Sequence, residues 1–304
     1  MSRKLVLAFK HGRRVALAPM LARLTALCDG GGPDAALSAL VVLAKVAGLP
    51  AADTDQIYPV PEHGFWTPDA GVVADAQPDA TQPLVLILFY RSYLLAGDLD
   101  PIAALIRSFK ARGFQALAMF VPSLKHAAAV WVAAHVTRLH PAEIVNATAF
   151  SARGDTGVSP LDAADVPVFQ VALATSDRQA WRDSDRGLSP ADLAMHVVMP
   201  EVDGRIFAGV ASFKAASAPD ADLEFARVMH LSDPERITAI ADRVAGWFVL
   251  AVIGVALLSF FGWGVFGGEQ GWQYGLINAV SVLIIACPCA LGLATPISTM
   301  IGVG

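Results

Sequence analysis

The sequence predicts an α/β protein with a parallel sheet, preceded by a helical segment and followed by a transmembrane helical hairpin. Three observations predict it. Apolar runs of strand length alternate with helical patterns in the middle of the chain, the residues after Arg243 carry a single charge at Glu269, and prolines cluster upstream of the first strand. The predicted segments are a helical segment, an extended connector, an α/β domain and a membrane hairpin, at residues 1–50, 51–82, 83–235 and 236–304.

The charge balance excludes one class of function. The 304 residues contain 22 Lys and Arg against 27 Asp and Glu, a net charge of -5, which excludes a generally basic nucleic-acid binder. Charged residues make up only 16% of the chain and hydrophobic residues 55%, whereas ordinary globular domains have more of the first and less of the second. We therefore expect no nucleic-acid partner, and a part of the chain that does not face water.

Residues 244–304 contain two apolar runs, WFVLAVIGVALLSFFGW and LINAVSVLIIACPCALGLA, separated by the polar turn GGEQG. The uncharged stretches that contain these runs, Val244 to Gly268 and Gln270 to Gly304, are each longer than the roughly 20 residues that a helix needs to cross a bilayer. Arg236 and Arg243 precede the first run, so the positive-inside rule places residues 1–243 in the cytoplasm. The sequence thus predicts a membrane protein with two spans.

Four apolar runs of the middle region predict strands: LVLILFY, QALAMFV, EIVNATAF and VPVFQVAL. Between the first two, Ile102, Leu105, Ile106 and Phe109 follow the spacing of one helical face, and Leu124 to Leu139 predicts a second helix. Strands that alternate with helices indicate a parallel sheet covered on both faces, of the flavodoxin- or Rossmann-like type. No glycine-rich nucleotide-binding loop occurs, so nothing here indicates a bound nucleotide.

Ligands of such sheets bind beyond the carboxyl ends of the strands. The polar side chains at these ends are therefore candidate lining groups, and two acids after the sequence VVMP are candidate catalytic groups. Alternatively, the strand-end side chains are ordinary loop or capping groups, and the two acids belong to a solvated loop. No pair of histidines has the spacing of a metal site. The lining candidates are Tyr90, Arg91, Asn146, Thr148 and Gln170, and the acids are Glu201 and Asp203.

Several blocks in order resemble one family: LILFYRSYLLAGDLDPIAALIRSFKARGFQALAMFVPSLK, IVNATAF, SPLDAADVPVFQV and GLSPADLAMHVVMPEVDGRI. They resemble the large subunit of aerobic cobaltochelatase, which is similar to the H subunit of magnesium chelatase, over about residues 25–247. The resemblance implies a subunit of cobalamin biosynthesis that binds a corrin or porphyrin precursor while AAA+ partner subunits use ATP to insert Co²⁺ or Mg²⁺. Glu201 and the five lining candidates would then contact the macrocycle. Family members are far longer, so we do not expect chelation by this chain alone.

The second apolar run carries a thiol pair, Cys287 and Cys289, around Pro288. Residues two apart on an ideal helix point roughly 200° from one another, so a regular helix would not let them share an ion. Pro288 removes a backbone donor and opens the helix, which allows both sulfurs to turn inward. Thiolates suit Cu(I), and also Zn²⁺. The alternative is a pair of buried cysteines that flank a kink.

Both runs and the closing STMIGVG resemble heavy-metal P-type ATPases of the copper-exporter type, over about residues 240–304. The resemblance implies Cu(I) binding by Cys287 and Cys289. The phosphorylation loop DKTGT of that family does not occur in this sequence, so we do not expect ATP-driven transport by this chain.

Three hypotheses remain open. The chain is a fragment of a cobaltochelatase-type large subunit that carries a membrane hairpin, or it is a truncated copper-translocating ATPase, or it is a non-functional fusion. The two resemblances overlap at IADRVAGW, from Ile240 to Trp247, which would be the point of fusion.

Overall fold

The computed structural model describes residues 18–51, 60–73, 75–79, 81–154, 157–185, 187–216 and 228–286. These residues form two compact units. The first contains residues 18–51, 60–62 and Arg91–Asp98, and the second contains the rest. Each unit is described by itself.

The first unit is helical. It contains α1 (Ala18–Gly30), α2 (Pro33–Val46) and α3 (Arg91–Ala96). The turn between α1 and α2 needs glycine at residue 31, because φ is +64° there and a Cβ atom would lie 2.6 Å from the Leu95 side chain. Pro33 then starts α2 at a position where its missing N–H is not needed.

The second unit is built on a sheet of mostly parallel strands, which confirms the predicted α/β class. Its strands in the described residues are β1 (Gly64–Thr67), β2 (Gly71–Val73), β3 (Leu84–Tyr90), β4 (Gln115–Val121), β5 (Glu143–Asn146), β6 (Val168–Leu173), β7 (Ile206–Ala216) and β8 (Val228–Ser232). The order across the sheet is β2-β1-β4-β3-β5-β6-β7-β8, and the strands from β4 to β7 are parallel. The outer strands β1, β2 and β8 pair antiparallel. β1 and β2 lie within the segment predicted to be an extended connector.

Helices alternate with the strands and continue beyond the last of them. They are α4 (Asp100–Lys110), α5 (His126–Leu139), α6 (Arg178–Arg182), α7 (Pro190–Leu193) and α8 (Met199–Val202), followed by α9 (Pro234–Phe266) and α10 (Gly271–Ala286). A π-helical turn, Ala194–Val198, joins α7 to α8, and a short 3-10 helix spans Pro160–Ala164. The four apolar residues predicted for one face of α4 are all fully buried. Val132 and Val136 of α5 pack with Leu86, Leu88 and Met119 of the central strands.

Successive parallel strands are added to one side of β3 first and then to its other side. The chain runs from β3 outward to β4, then returns past β3 to β5 and continues through β6 to β7. The order therefore reverses between β3 and β5, and the loops that leave their carboxyl ends diverge there. A crevice at such a point is where open α/β sheets hold ligands.

α9 begins on the sheet and continues beyond it. Asp233 caps its first turn, and Ile237, Ile240 and Val244 are buried on the domain, with Ile240 in contact with Gly209 of β7. From Trp247 onward most of its large apolar side chains are exposed.

Within the described part of the chain, α9 is the helix long and apolar enough to cross a membrane, with a mean hydropathy of 2.4 in a window that is only 11% buried. α10 packs beside it, with the Trp272 ring against Gly264. The second predicted span continues outside the described residues.

Candidate functional site

A buried polar network lies at the carboxyl end of β5 and reaches the middle of the neighbouring strand β6. The Asn146 side chain donates from Nδ2 to Oε1 of Gln170 at 2.7 Å, and Thr148 donates from Oγ1 to Oδ1 of Asn146 at 2.9 Å. Gln170 in turn donates from Nε2 to the carbonyl of Thr148 at 2.7 Å. All three side chains are fully buried, so their mutual bonds replace those to water. The structure thus brings together three of the predicted lining residues.

An ion pair extends this network. Arg205 donates from Nη1 to Oε1 of Gln170 at 3.1 Å and from Nη2 to Oδ2 of Asp203 at 2.9 Å. The same carboxylate accepts bonds from the Ser151 hydroxyl and, at 2.6 Å, from the Ala152 amide. Burial lowers the pKa of Arg205, and Asp203 opposes that shift by stabilising the charged guanidinium. Asp203 is therefore the buried hub that ties β7 to the loop after β5.

That loop, residues 147–153, is fixed along its length. The Ala147 amide donates to the Leu88 carbonyl at 2.7 Å, and the Tyr90 hydroxyl donates to the Ala149 carbonyl at 2.7 Å. Burial raises the pKa of Tyr90, which keeps its hydroxyl proton available for this bond. Tyr90 therefore reaches the same loop as the network.

Phe150, in the middle of the loop, has a φ of +67°. A left-handed backbone in a bulky residue costs on the order of 1–3 kcal/mol and persists only where surrounding contacts hold it. The contact here is a hydrogen bond from the Phe150 amide to the Met195 carbonyl at 2.8 Å. Met195 lies in the π-helical turn, a local irregularity that is frequent at functional sites.

The same helical turn contains His196, whose side chain is buried. Burial lowers the pKa of His196, the nearby His230 lowers it further, and Asp192 opposes both. Asp192 accepts hydrogen bonds from the amide and hydroxyl of Thr175, so it anchors the start of the turn to the end of β6. The lowered pKa favours the neutral form of the His196 ring.

Two predicted residues do not join this network. Arg91 belongs to the first unit, where its guanidinium donates to the backbone carbonyls of Gly30, Val60 and Pro61. Glu201 is exposed at the start of α8, two residues from the buried Asp203. The sequence did not indicate three further residues of this network and its loop: Arg205, Ser151 and Phe150. The opposite charges of Asp203 and Arg205 across the turn in EVDGRI were the available signal for the ion pair.

The described residues contain no group of three or more His, Cys, Asp or Glu side chains that could hold a metal ion. Cys287, Pro288 and Cys289 lie outside the described residues, so the predicted thiol site has no geometry to report.

Glu143 stands at the opposite end of β5 from the network. Its side chain is 1% exposed, and neither carboxylate oxygen makes a hydrogen bond in the described structure. Burial raises the pKa of Glu143 to about 8, and the nearby backbone amide of Phe248 in α9 offsets this only in part. Glu143 is therefore a buried, protonated acid where α9 leaves the domain.

These features define a class: a mixed α/β domain with a mostly parallel sheet and a long apolar helix at its C-terminal end. The chain belongs to the CobN/magnesium chelatase family, whose model matches residues 26–254. It is 36% identical over 235 residues to an aerobic cobaltochelatase subunit CobN from Sinorhizobium sp, covering 72% of this chain and 18% of that protein. The catalytic subunit of cobaltochelatase from Mycobacterium tuberculosis has a similar structure, with a TM-score of 0.60 and 25% identity over 79% of this chain and 20% of that one.

The C-terminal part matches copper and heavy-metal P-type ATPases. A copper-exporting P-type ATPase from Legionella pneumophila is 58% identical over 88 residues, covering 27% of this chain and 12% of that protein. The chain therefore spans less than a fifth of the relatives' length in both cases. Together with the apolar α9, these relatives suggest membrane association.

Proposed function

We propose that the chain is a piece of a cobaltochelatase-type large subunit whose α/β domain binds a corrin or porphyrin precursor. The observation that carries this proposal is the rigid loop 147–153, which the buried network holds at the point where the strand order reverses. A preorganised loop at that place is suited to ligand binding, because no ordering of the loop opposes association. Tyr90, Asn146, Thr148 and Gln170 would act by holding this loop.

The order of the five parallel strands supports the proposal. Numbered along the chain, they lie in the order 2-1-3-4-5, which is the flavodoxin-like arrangement of doubly wound sheets. In the full-length assembly, Co²⁺ or Mg²⁺ would be the metal substrate, and AAA+ partner subunits would supply the energy of ATP. This chain would contribute to holding the macrocycle.

The test uses the full chain in a mild detergent, titrated against a tetracarboxyphenylporphyrin while the porphyrin absorbance band is followed. We expect a saturable spectral shift. Gln170→Leu should weaken it, because Arg205 and the Thr148 carbonyl lose a partner and the loop loosens. Gln179→Leu is the matched control, since this exposed glutamine of α6 takes no part in the network. No shift with the unaltered chain would disprove macrocycle binding.

We further propose that α9 and the segment that starts with α10 form a two-span hairpin, with residues 1–243 on the cytoplasmic side. Arg236 and Arg243 at the start of α9 favour this orientation. In a Cys28→Ser background, a membrane-impermeant maleimide applied outside intact cells should label Gly268→Cys in the hairpin turn. It should not label Asp183→Cys in the domain. The reverse pattern would invert the topology.

A second candidate function is Cu(I) binding through Cys287 and Cys289 around Pro288. The identity with a copper-exporting ATPase favours it. The full chain should take Cu(I) from a chromogenic chelator, and Cys287→Ser should abolish this, whereas Cys28→Ser in α1 should not. Equal uptake by all three proteins would eliminate the site.

The third possibility is a non-functional fusion of two genes near Ile240–Trp247. It predicts that the intact polypeptide is absent from the membranes of the cell. Detection of the intact chain there, by an antibody to the α/β domain and by peptides that cross residues 240–247, would eliminate it.

A further inference from the structure

Phe150 combines two properties that rarely occur together in one residue. Its backbone is in the left-handed region at φ +67°, and the residue as a whole is 46% exposed. A phenylalanine placed for packing would bury its ring, and an exposed residue with this backbone would ordinarily be glycine or asparagine. Phe150 therefore combines two features that are each unfavourable for folding: a strained backbone and an exposed apolar side chain. Strain of this kind clusters at ligand-binding sites.

The strain is enforced from both sides of Phe150. On one side, the carbonyls of Thr148 and Ala149 accept hydrogen bonds from Gln170 and Tyr90. On the other, Asp203 binds the Ser151 hydroxyl and the Ala152 amide. The Met195 carbonyl holds the Phe150 amide itself. The ring is thus presented on a backbone that the core fixes, at the place where the strand order reverses.

A cation lies on the same loop. Arg153 is partly exposed, with its Nε 3.7 Å from Oδ1 of Asp203, and its amide donates to the Ser151 hydroxyl. Asp203 also binds Arg205, so its charge is shared between two guanidiniums. Among the described residues, Asp203 pairs with Arg153 through Nε, which leaves the Nη groups of Arg153 to donate to a second anion at the rim of the loop.

We propose that Phe150 and Arg153 are the ligand-contacting residues of this site. The Phe150 ring stacks on the flat face of a conjugated macrocycle, and the Arg153 guanidinium binds a carboxylate on the periphery of that macrocycle. This inference rests on the proposed macrocycle-binding function and names the groups that perform it. Tyr90, Asn146, Gln170 and Asp203 are positioning residues that act through the loop.

The test measures the affinity of the full chain in detergent for a tetracarboxyphenylporphyrin. Phe150→Ala and Phe150→Gly should each weaken binding at least fivefold, in line with the loss of one aromatic stacking contact. Val130→Ala is the matched control, because Val130 is an exposed apolar residue of α5 away from the loop, and its affinity should be unchanged. Phe150→Gly suits the left-handed backbone, so it tests the ring even if Phe150→Ala folds poorly.

The role of Arg153 is tested with porphyrins of opposite charge. Arg153→Gln should weaken binding of the tetracarboxylate several-fold and leave binding of a tetra(N-methylpyridyl)porphyrin unchanged or tighter. A merely structural role for Arg153 would change both affinities alike.

The outcomes separate the two proposals. If the unaltered chain binds the tetracarboxylate and the Phe150 and Arg153 variants bind it equally well, the assignment of these contacts is wrong and the proposed function stands. If the unaltered chain binds neither porphyrin, the proposed function fails and this inference fails with it.

Discussion

The two ends of strand β5 each carry a buried polar side chain, but only the one at the carboxyl end has hydrogen-bond partners. At the carboxyl end, Asn146 is bonded to Thr148 and Gln170, and the network continues to Arg205 and Asp203. At the amino end, Glu143 is equally buried and its carboxylate oxygens have no hydrogen-bond partner in the described structure. A paired network fixes geometry, whereas an unpaired acid can only remain neutral. Burial of a polar side chain therefore does not by itself identify a candidate ligand site, whereas the pattern of its hydrogen-bond partners does.

We expect the largest loss of stability from a substitution at the hydrogen-bonded, carboxyl end of β5. Asp203→Ala removes the partner of the buried Arg205 guanidinium and the acceptor for the Ser151 and Ala152 donors. Loss of one partner from a buried ion pair costs about 3–5 kcal/mol. Urea unfolding of the full chain in detergent, followed by tryptophan fluorescence, measures this cost. Glu201→Gln should change the free energy of unfolding by less than about 0.5 kcal/mol. If both variants were equally stable, the claim that Asp203 is the hub would be wrong.

A second contrast lies within α9. Ile240 is buried against β7, whereas Leu258 is 75% exposed. Ile240→Ala should destabilise the α/β domain by about 2–5 kcal/mol, because it leaves a cavity in a packed contact. Leu258→Ala should leave the domain's stability within about 0.5 kcal/mol. The same urea titration compares them, and a large effect of Leu258→Ala would show that this half of α9 packs on protein.

The unpaired end predicts a pH dependence. Burial raises the pKa of Glu143 to about 8, from an ordinary value of 4.5. Between these values the folded chain holds a proton that the unfolded chain releases. The free energy of unfolding therefore falls as pH rises through this window, by at most about 1.4 kcal/mol per pH unit, and levels off above it.

Glu143→Gln keeps the neutral shape and removes this slope. Urea unfolding at about pH 5, 6.5 and 8 should show a growing advantage of the variant over the unaltered chain as the pH rises. The lowered pKa of His196 makes the free energy of unfolding rise with pH just below the ordinary pKa of histidine, which is opposite to the effect of Glu143. Both proteins contain His196, so the difference between them reports the effect of Glu143 alone. A constant difference across this range would mean that Glu143 is ionised and paired.

Much of the fold could be predicted from the sequence, because the central strands are continuous apolar runs. β3 and β4 fall on two of those runs as predicted. β7 was missed because its sequence, IFAGVASFKAA, mixes small, polar and charged residues and gives no clear period. β1 was missed because its four residues follow a proline-rich stretch. Short strands owe their existence to the partner strand, which a local pattern does not contain.

The candidate site could be predicted only in part. The carboxyl-end rule found Asn146 and Thr148, because the end of β5 is visible in the sequence. Gln170 lies in the middle of β6 and joins them because it pairs with Asn146 across the sheet. It also selected Arg91, which the chain uses to bind carbonyls in the other unit. Nothing in the sequence shows that Phe150 has a left-handed backbone. That property follows from long-range bonds to the loop, which only the folded chain brings together.

The smallest predicted effect tests the strain at Phe150. Phe150→Gly relieves a left-handed backbone strain on the order of 1–3 kcal/mol, while the greater freedom of glycine in the unfolded chain offsets about 0.4–1 kcal/mol of that gain. Phe150→Ala removes the same ring and keeps most of the strain. The glycine variant should therefore be more stable than the alanine variant by about 1 kcal/mol in the urea titration. Equal stability would mean that the loop relaxes around residue 150, and that the paired end of β5 is less rigid than its hydrogen bonds indicate. A more stable glycine variant that binds porphyrin more weakly would instead show that the strained phenylalanine is kept for ligand binding.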